Sequence, residues 1–197
     1  MIASCGLVLK TLLEELCKKL VEELKEFAPK FPKLVRQEKN KEYLLVIDPA
    51  DIHIGKLADS FETGEDYNNQ IAVKRVLKGV RGVLKSSNGF DIDKINFIAG
   101  NDILHIDNVY NQTTAGTRQD VDGKWWEHFE IALMLYVKCI EILRHIAPVD
   151  VLHSMSNHDY QSGFHLAHSL KSWFRNTKDV TFDISVSHRK YYKYGSN

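Results

Sequence analysis

Three short hydrophobic runs, separated by stretches with helical periodicity, constrain the fold of this chain most strongly. The runs at residues 43–48, 95–99 and 149–155 have the length and composition of buried β-strands. Apolar residues recur at helical spacing between them, at residues 67–84 and 125–146. Strands that alternate with helices are typical of an α/β fold. We therefore predict a mainly parallel sheet flanked by helices.

The N-terminal part has a different character. Residues 7–27 predict an amphipathic helix, and residues 29–42 contain two prolines and many charges, which is typical of a linker. We therefore divide the chain into an extra N-terminal helix with its linker, residues 1–42, and a main domain, residues 43–197. The helix is expected to dock on its own domain or to support a homo-oligomer, rather than to anchor the chain in a membrane.

The C-terminal part continues the alternation. Residues 164–174 predict a helix, and residues 180–186 and 190–194 predict short strands. The last of these includes tyrosines for which packing is favoured over stacking on nucleic-acid bases. A long polar loop, residues 107–123, contains Arg118 as a candidate substrate contact, although an ordered loop that covers one end of the sheet is an equal alternative.

Composition excludes some classes of protein. The 26 basic residues balance 26 acidic ones, which argues against a protein that coats nucleic acid but leaves room for a local basic groove. Three cysteines without metal-ligand spacing fit a reducing compartment. No stretch approaches transmembrane length, and the apolar start lacks the basic region of a signal peptide. We expect a cytoplasmic protein that does not contact membranes.

Polar clusters follow each of the three predicted strands. They are Asp51-Ile52-His53, Gly100-Asn101-Asp102 and Asn157-His158-Asp159. Each alone is more typical of a cap or a turn, but the carboxyl ends of parallel strands meet at one edge, where three clusters in order favour a common site. If its segment is extended, Asp51 points the same way as His53, and the two can share a cation. Their residue types suit a two-metal hydrolytic site.

The remaining ligand types complete this hypothesis. Asp102 could bridge two cations through its two oxygens, Asn157 offers a neutral ligand, and His158 could protonate a leaving alkoxide. The other histidines are interpreted differently. Those at 165, 168 and 188 are expected at the surface or in packing, although a metal-binding pair or a phosphate contact is conceivable, and those at 128, 145 and 153 are expected to be structural.

Together these motifs resemble the calcineurin-like metallophosphoesterase superfamily, whose pattern is D-x-H, G-D, G-N-H-D, H and G-H-x-H. The resemblance implies a phosphoesterase sandwich and two divalent ions, Mn, Fe, Zn or Mg with Mn favoured, that activate a hydroxide. It implies that Asp51 and His53 hold one metal, that Asp102 bridges and that Asn157 holds the second. His158 would assist the leaving group.

Within the superfamily, the segment from Asp102 to Asn108 resembles the G-D-L-F-H-[ED]-N motif of Mre11/SbcD-type nucleases. This resemblance implies that His105 is an active-site histidine. It also implies a phosphodiester substrate, with DNA favoured. A small-molecule phosphatase is the disfavoured alternative.

Three departures from the family pattern shape the expectations. Asn101 is inserted between the expected Gly and Asp, and it competes with Asp102 for the bridging position. We favour Asp102 because His105 then falls in register. Ser156 replaces a glycine, and no G-H-x-H follows Asn157. We therefore expect a phosphoesterase domain that lacks its C-terminal part, binds metal weakly and shows poor or no catalysis.

A non-catalytic role is the main alternative. A degenerate or fragmentary phosphoesterase fold could serve protein assembly, with the N-terminal helix as the oligomerisation element. Light scattering of a variant without residues 1–40 tests this role, because an unchanged molecular mass would remove the helix from oligomerisation.

Overall fold

The computed structural model describes Glu15, residues 29–36 and residues 43–196. The chain divides into two compact units, Met1–Pro32 and Lys33–Asn197. Apart from Glu15, the helix predicted at residues 7–27 and its role in oligomerisation lie outside the described residues. The elements below all belong to the second unit.

A four-stranded parallel sheet forms the centre of this unit. Its strands lie side by side in chain order, and every neighbouring pair is parallel. They are β1 (Tyr43–Ile47), β2 (Ile92–Gly100), β3 (Val149–Ser154) and β4 (Val180–Asp183). The helices are α1 (Ser60–Thr63), α2 (Asn69–Ser86), α3 (Trp125–Arg144) and α4 (Tyr160–Trp173). This architecture confirms the predicted α/β fold with a parallel sheet and flanking helices.

The connections between strands determine where the helices lie. Parallel strands joined in sequential order by right-handed crossovers carry their connecting helices on one face of the sheet. The long helix α3 packs against β2 and β3 and lies between α2 and α4. The three long helices therefore form a single layer on that face.

The helix-covered face of the sheet is the core. Ile95, Phe97 and Ala99 alternate along β2 and are almost completely buried. Phe97 pairs in register with Val151 on β3, and its ring centroid lies 5.4 Å from that of Tyr136 on α3. This alternation is the period of two expected when one face of a strand packs against a helix layer.

The opposite face carries polar groups and the C-terminal residues. The Lys94 ammonium lies 2.8 Å from the Asp150 carboxylate, and the Tyr192 hydroxyl donates to the same carboxylate. Residues 190–194 therefore cross this face instead of pairing along an edge, and the strand predicted there is wrong. The predicted alternation remains, since Tyr191 is 89% exposed and Tyr192 is half-buried.

Two predicted boundaries differ because a carboxylate binds backbone amides at the end of the element, in one case from a distant residue and in the other from a neighbour. The helix predicted from residue 164 begins at Tyr160, where the Asp107 carboxylate accepts hydrogen bonds from the backbone amides of Gln161 (3.1 Å) and Ser162 (2.7 Å). The strand predicted over 180–186 ends at Asp183. Its carboxylate accepts from the Ser185 amide at 2.9 Å and so closes a turn.

Candidate metal centre

The three polar clusters converge at the carboxyl edge of the sheet, where β1, β2 and β3 end. Backbone hydrogen bonds continue the pairing of β1 and β2 beyond the strands themselves. The Asp51 amide donates to the Asn101 carbonyl at 2.8 Å, and the His53 amide donates to the Asp102 carbonyl at 3.0 Å. The first two clusters are therefore held side by side by main-chain bonds.

The backbone of these clusters is turned rather than extended. Asp51 and His53 have φ values of 53° and 50°, and Asn101 and Asp102 have values of 53° and 62°. Positive φ is uncommon outside glycine, although Asn, Asp and His accept it most readily. The segment is therefore not extended, and the condition under which the sequence placed Asp51 and His53 on one side does not hold. The turn still brings the two side chains together, since His53 Nε2 lies 3.7 Å from Asp51 Oδ1.

Two glycines allow the close approach of neighbouring segments. A Cβ at Gly100 would lie 1.9 Å from the Ser154 carbonyl oxygen, so a larger residue would push β2 away from β3 at the edge of the site. A Cβ at Gly55, where φ is 104°, would lie 2.6 Å from Nδ1 of the buried His128. The His128 Nε2 lies 2.8 Å from the Asp122 carbonyl, to which it donates. His128 thus packs closely against Gly55, just after the first cluster.

Five side chains form what we call the His/Asp cluster: Asp51, His53, Asp102, His105 and His158. Two sets among them place their ligand atoms within 4.8 Å of one another. One set has three imidazoles, the other has both carboxylates, and His53 belongs to both. Imidazole and carboxylate groups at this spacing match the coordination chemistry of divalent transition metals. The cluster could therefore hold a metal ion.

The structure separates the roles of Asn101 and Asp102. Asp102 belongs to the cluster, and its Oδ1 accepts from the backbone amides of Asn157 (3.1 Å) and His158 (2.9 Å). The Asn101 side chain points elsewhere: it donates to Asp48 and accepts from the Ser154 hydroxyl at 2.7 Å. Asp102 therefore links the second and third clusters.

The His158 imidazole has a defined orientation. Its Nδ1 lies 2.9 Å from the His105 carbonyl oxygen, an acceptor, so that Nδ1 carries the proton. A backbone carbonyl bound in this way fixes the tautomer and leaves Nε2 available for a metal or a substrate. Nδ1 of His105 lies 3.4 Å from Nδ1 of His53, so these two rings also meet.

Electrostatics favours the neutral imidazole at His53 and at His105. Burial, together with the neighbouring His53 and His158 rings, lowers the pKa of His105 to about 3. Burial and the nearby His158 also lower the pKa of His53 below its ordinary value. Neutral imidazole is the form that binds metal ions. The geometry thus suppresses protonation, which competes with metal binding.

Asp159 is not part of the His/Asp cluster; it stabilises the backbone around the site. Its side chain is completely buried; Oδ2 accepts from the Leu104 amide at 2.9 Å, and Oδ1 accepts from the Ser156 hydroxyl. Burial raises the pKa of this carboxyl to about 6. It therefore ties the third cluster to the segment between Asp102 and His105.

A cleft of about 570 Å³ opens beside the cluster. Its lining includes Asp51, Asp102 and Asn157, together with Tyr160 and His188. Sequence reasoning did not place the last two residues in the site. Their proximity depends on the early start of α4 and on the turn after β4, neither of which has a local sequence signal.

Other candidate residues lie outside the cleft. Arg118 is exposed in the loop at 107–123, where it forms an isolated β-bridge with Gln112. It is not among the residues that line the cleft, so its contact with substrate stays a prediction. The same loop supports the site by its backbone: the Thr114 amide donates to the His158 carbonyl at 3.2 Å. His165 and His168 are exposed on α4, and His145 is exposed at the end of α3.

No protein-family model, no curated protein and no solved structure matches this chain. Within the described part of the chain, every helix is too short or too polar to cross a membrane.

We expect His105→Gln to flatten the acid destabilisation of the metal-free chain. Between the unfolded pKa near 6.5 and the folded pKa of about 3, only the unfolded chain takes up a proton at His105, so stability falls as the pH drops through this window. Asp159, whose pKa is raised, works in the opposite direction, and it is present in both proteins. Urea midpoints measured across this pH window check the slope.

The matched control is His165→Gln, which removes an exposed imidazole from α4. If both variants follow the same pH profile, His105 is not the buried imidazole that resists protonation.

Proposed function

We propose that this chain is a metal-dependent phosphoester hydrolase of the calcineurin-like type, with a phosphodiester, and DNA in particular, as its substrate. One observation carries the proposal: metal-binding side chains from three successive strand ends converge beside an open cleft. Active sites of parallel α/β sheets gather at this edge. The order and identity of the motifs, described above, support the phosphoesterase chemistry.

The residues divide between two metal positions. Asp51, His53 and Asp102 would hold the first ion, and Asp102 together with Asn157 would hold the second. Mn²⁺ is the favoured metal; Fe and Zn, which imidazole suits, and Mg, which carboxylate suits, are the alternatives. When bound, such ions supply Lewis-acid stabilisation of the phosphate charge and a nucleophile at neutral pH.

The two metal positions differ in the number of ligands assigned to them. Among the described residues, the first position has two carboxylates and one imidazole whose ligand atoms lie within 4.8 Å of one another, whereas only Asp102 and Asn157 are assigned to the second. We therefore expect one tighter and one weaker site. Slow turnover follows, because a two-metal mechanism needs both ions together.

The histidines have two roles in this proposal: proton transfer and the positioning of neighbouring rings. With Nδ1 donating to the His105 carbonyl, His158 presents Nε2, which in the doubly protonated imidazolium would deliver its proton to the leaving alkoxide. The rings of the three histidines form a triangle, with centroids 5.2 Å apart for His53 and His105, 5.3 Å for His105 and His158, and 4.5 Å for His53 and His158, so His105 packs against both other rings. This arrangement gives His105 a positioning role in addition to its capacity as a ligand.

The test is hydrolysis of bis(p-nitrophenyl) phosphate and of a short single-stranded DNA, with Mn²⁺ or with EDTA. We expect slow, Mn²⁺-dependent hydrolysis of the diester that falls to the background rate in His158→Gln, since loss of a general acid costs about 100-fold or more. Calorimetry of Mn²⁺ binding to the variant separates loss of the proton donor from loss of metal.

Two results would contradict the proposal. A metal-loaded chain that hydrolyses neither diester would exclude phosphodiesterase activity. Preference for p-nitrophenyl phosphate over both diesters would favour the small-molecule phosphatase instead.

A further inference from the structure

The cleft beside the His/Asp cluster is lined by two kinds of side chain. They are the carboxylates of Asp51 and Asp102 and the rings of Tyr160 and His188. Its volume of about 570 Å³ falls within the 300–1,000 Å³ that small-molecule sites occupy. A ligand that fills the cleft therefore has one part that meets the metal position and another that meets aromatic side chains.

We propose that Tyr160 and His188 form a stacking subsite for a nucleobase, so that the cleft accepts a nucleoside-bearing phosphodiester. This inference rests on the proposed function and adds the part of the substrate that the His/Asp cluster does not contact. The ring centroids lie 6.2 Å apart with planes inclined by 36°. Both residues are exposed to solvent, Tyr160 at 39%, so neither is covered by the rest of the protein.

Both rings are held by anchored backbone. Tyr160 is the first residue of α4, and its amide donates to the Thr114 hydroxyl at 3.0 Å. His188 lies in the turn after β4. There the Lys190 ammonium contacts the Asp183 carboxylate at 3.0 Å and the Ser185 carbonyl at 2.7 Å. Because the backbone of both residues is anchored, the two rings lose little conformational freedom when a base binds, and this favours affinity.

The charges in the cleft favour this division of roles. Among the described residues that line it, none is Lys or Arg, and Asp51 and Asp102 are acidic. Phosphate alone is therefore repelled unless a metal ion is bound, and stacking supplies an attraction that does not depend on charge. His188 belongs to neither metal-ligand set, so its ring is available for this contact.

The experiment compares two ligands that differ only in their bases. One is a phosphorothioate-linked thymidine dinucleotide, and the other has the same linkage and sugars without bases. We expect the Mn²⁺-loaded chain to bind the first roughly 5- to 100-fold more tightly in calorimetry, the range that stacking of a base confers. Tyr160→Ala and His188→Ala should each remove most of this preference and leave the affinity for the abasic ligand unchanged.

Conservative variants and a matched control sharpen the result. Tyr160→Phe and His188→Phe keep an aromatic face and should keep the preference. Tyr191→Ala removes a tyrosine that is 89% exposed outside the cleft lining, and it should have no effect. If His188→Phe weakens both ligands equally, His188 contacts phosphate and the stacking subsite is wrong.

The remaining outcomes separate this inference from the proposed function. Equal binding of the two ligands overturns the stacking subsite and leaves metal-dependent phosphodiester binding intact. Binding of neither ligand by the metal-loaded chain overturns both.

Discussion

Asp102→Asn should lower the affinity of the chain for Mn²⁺ by at least about 100-fold. Loss of a residue that only orients a metal ligand costs about 10- to 100-fold, and Asp102 is assigned to both metal positions. Asparagine keeps the shape and one oxygen that can accept from the Asn157 and His158 amides, so the change removes mainly the charge. Calorimetric titration with Mn²⁺ measures the loss.

Thermal unfolding provides an independent readout of the same change. A ligand at about 100 times its Kd stabilises a folded chain by about 2.7 kcal/mol, which corresponds to a rise in Tm of roughly 5–11 °C for a domain of this size. We expect such a rise for the original chain with Mn²⁺ and little or none for Asp102→Asn.

The control is Asp59→Asn, which removes an exposed carboxylate that caps α1 by accepting from the Phe61 amide at 2.7 Å. Its Mn²⁺ affinity should equal that of the unchanged chain. If Asp102→Asn binds Mn²⁺ as tightly as the control, the His/Asp cluster is not the metal site.

Asp179→Ala should destabilise the fold by about 3 kcal/mol, or roughly 6–12 °C in Tm. The Arg144 side chain is only 2% exposed, and its guanidinium lies 3.0 Å from Asp179 Oδ1. Arg36 approaches the other oxygen at 2.7 Å. Removing the carboxylate leaves a buried cation poorly compensated, which costs about 3–5 kcal/mol in other proteins. We expect the lower end because Arg144 keeps contacts with Glu141 and Thr177.

The matched control is Glu65→Ala, which breaks an exposed ion pair instead of a buried one. Glu65 pairs with Arg75 at 2.6 Å, closer than either contact of Asp179, but the two side chains are 71% and 54% exposed. Exposed pairs contribute about 0–1 kcal/mol, so this variant should unfold within that range of the unchanged chain. Equal losses in the two variants, compared by urea unfolding, would show that burial does not determine the effect.

Hydrophobic patterning was sufficient for the main elements of the fold. The runs at 43–48, 95–99 and 149–155 are strands, and the helical patterns at 67–84 and 125–146 are helices, because period and length are local properties of the chain. Boundaries set by distant groups were not predictable. Helix α4 begins four residues early because Asp107, more than fifty positions away, caps it.

The candidate site likewise has features that the sequence predicts and features that only the folded structure determines. The sequence alone determined which ligand types follow which strands, and parallel strands bring those ends to one edge whatever the details of packing. Tertiary structure decided the rest: the left-handed turns at Asp51 and His53, the hydrogen bonds of the Asn101 side chain to Asp48 and Ser154, and the approach of His188 to Tyr160. Each of these depends on hydrogen bonds or contacts between residues far apart in the chain. Local propensity carries no information about such contacts, and only the register of the folded sheet and the packing of its connections determine them.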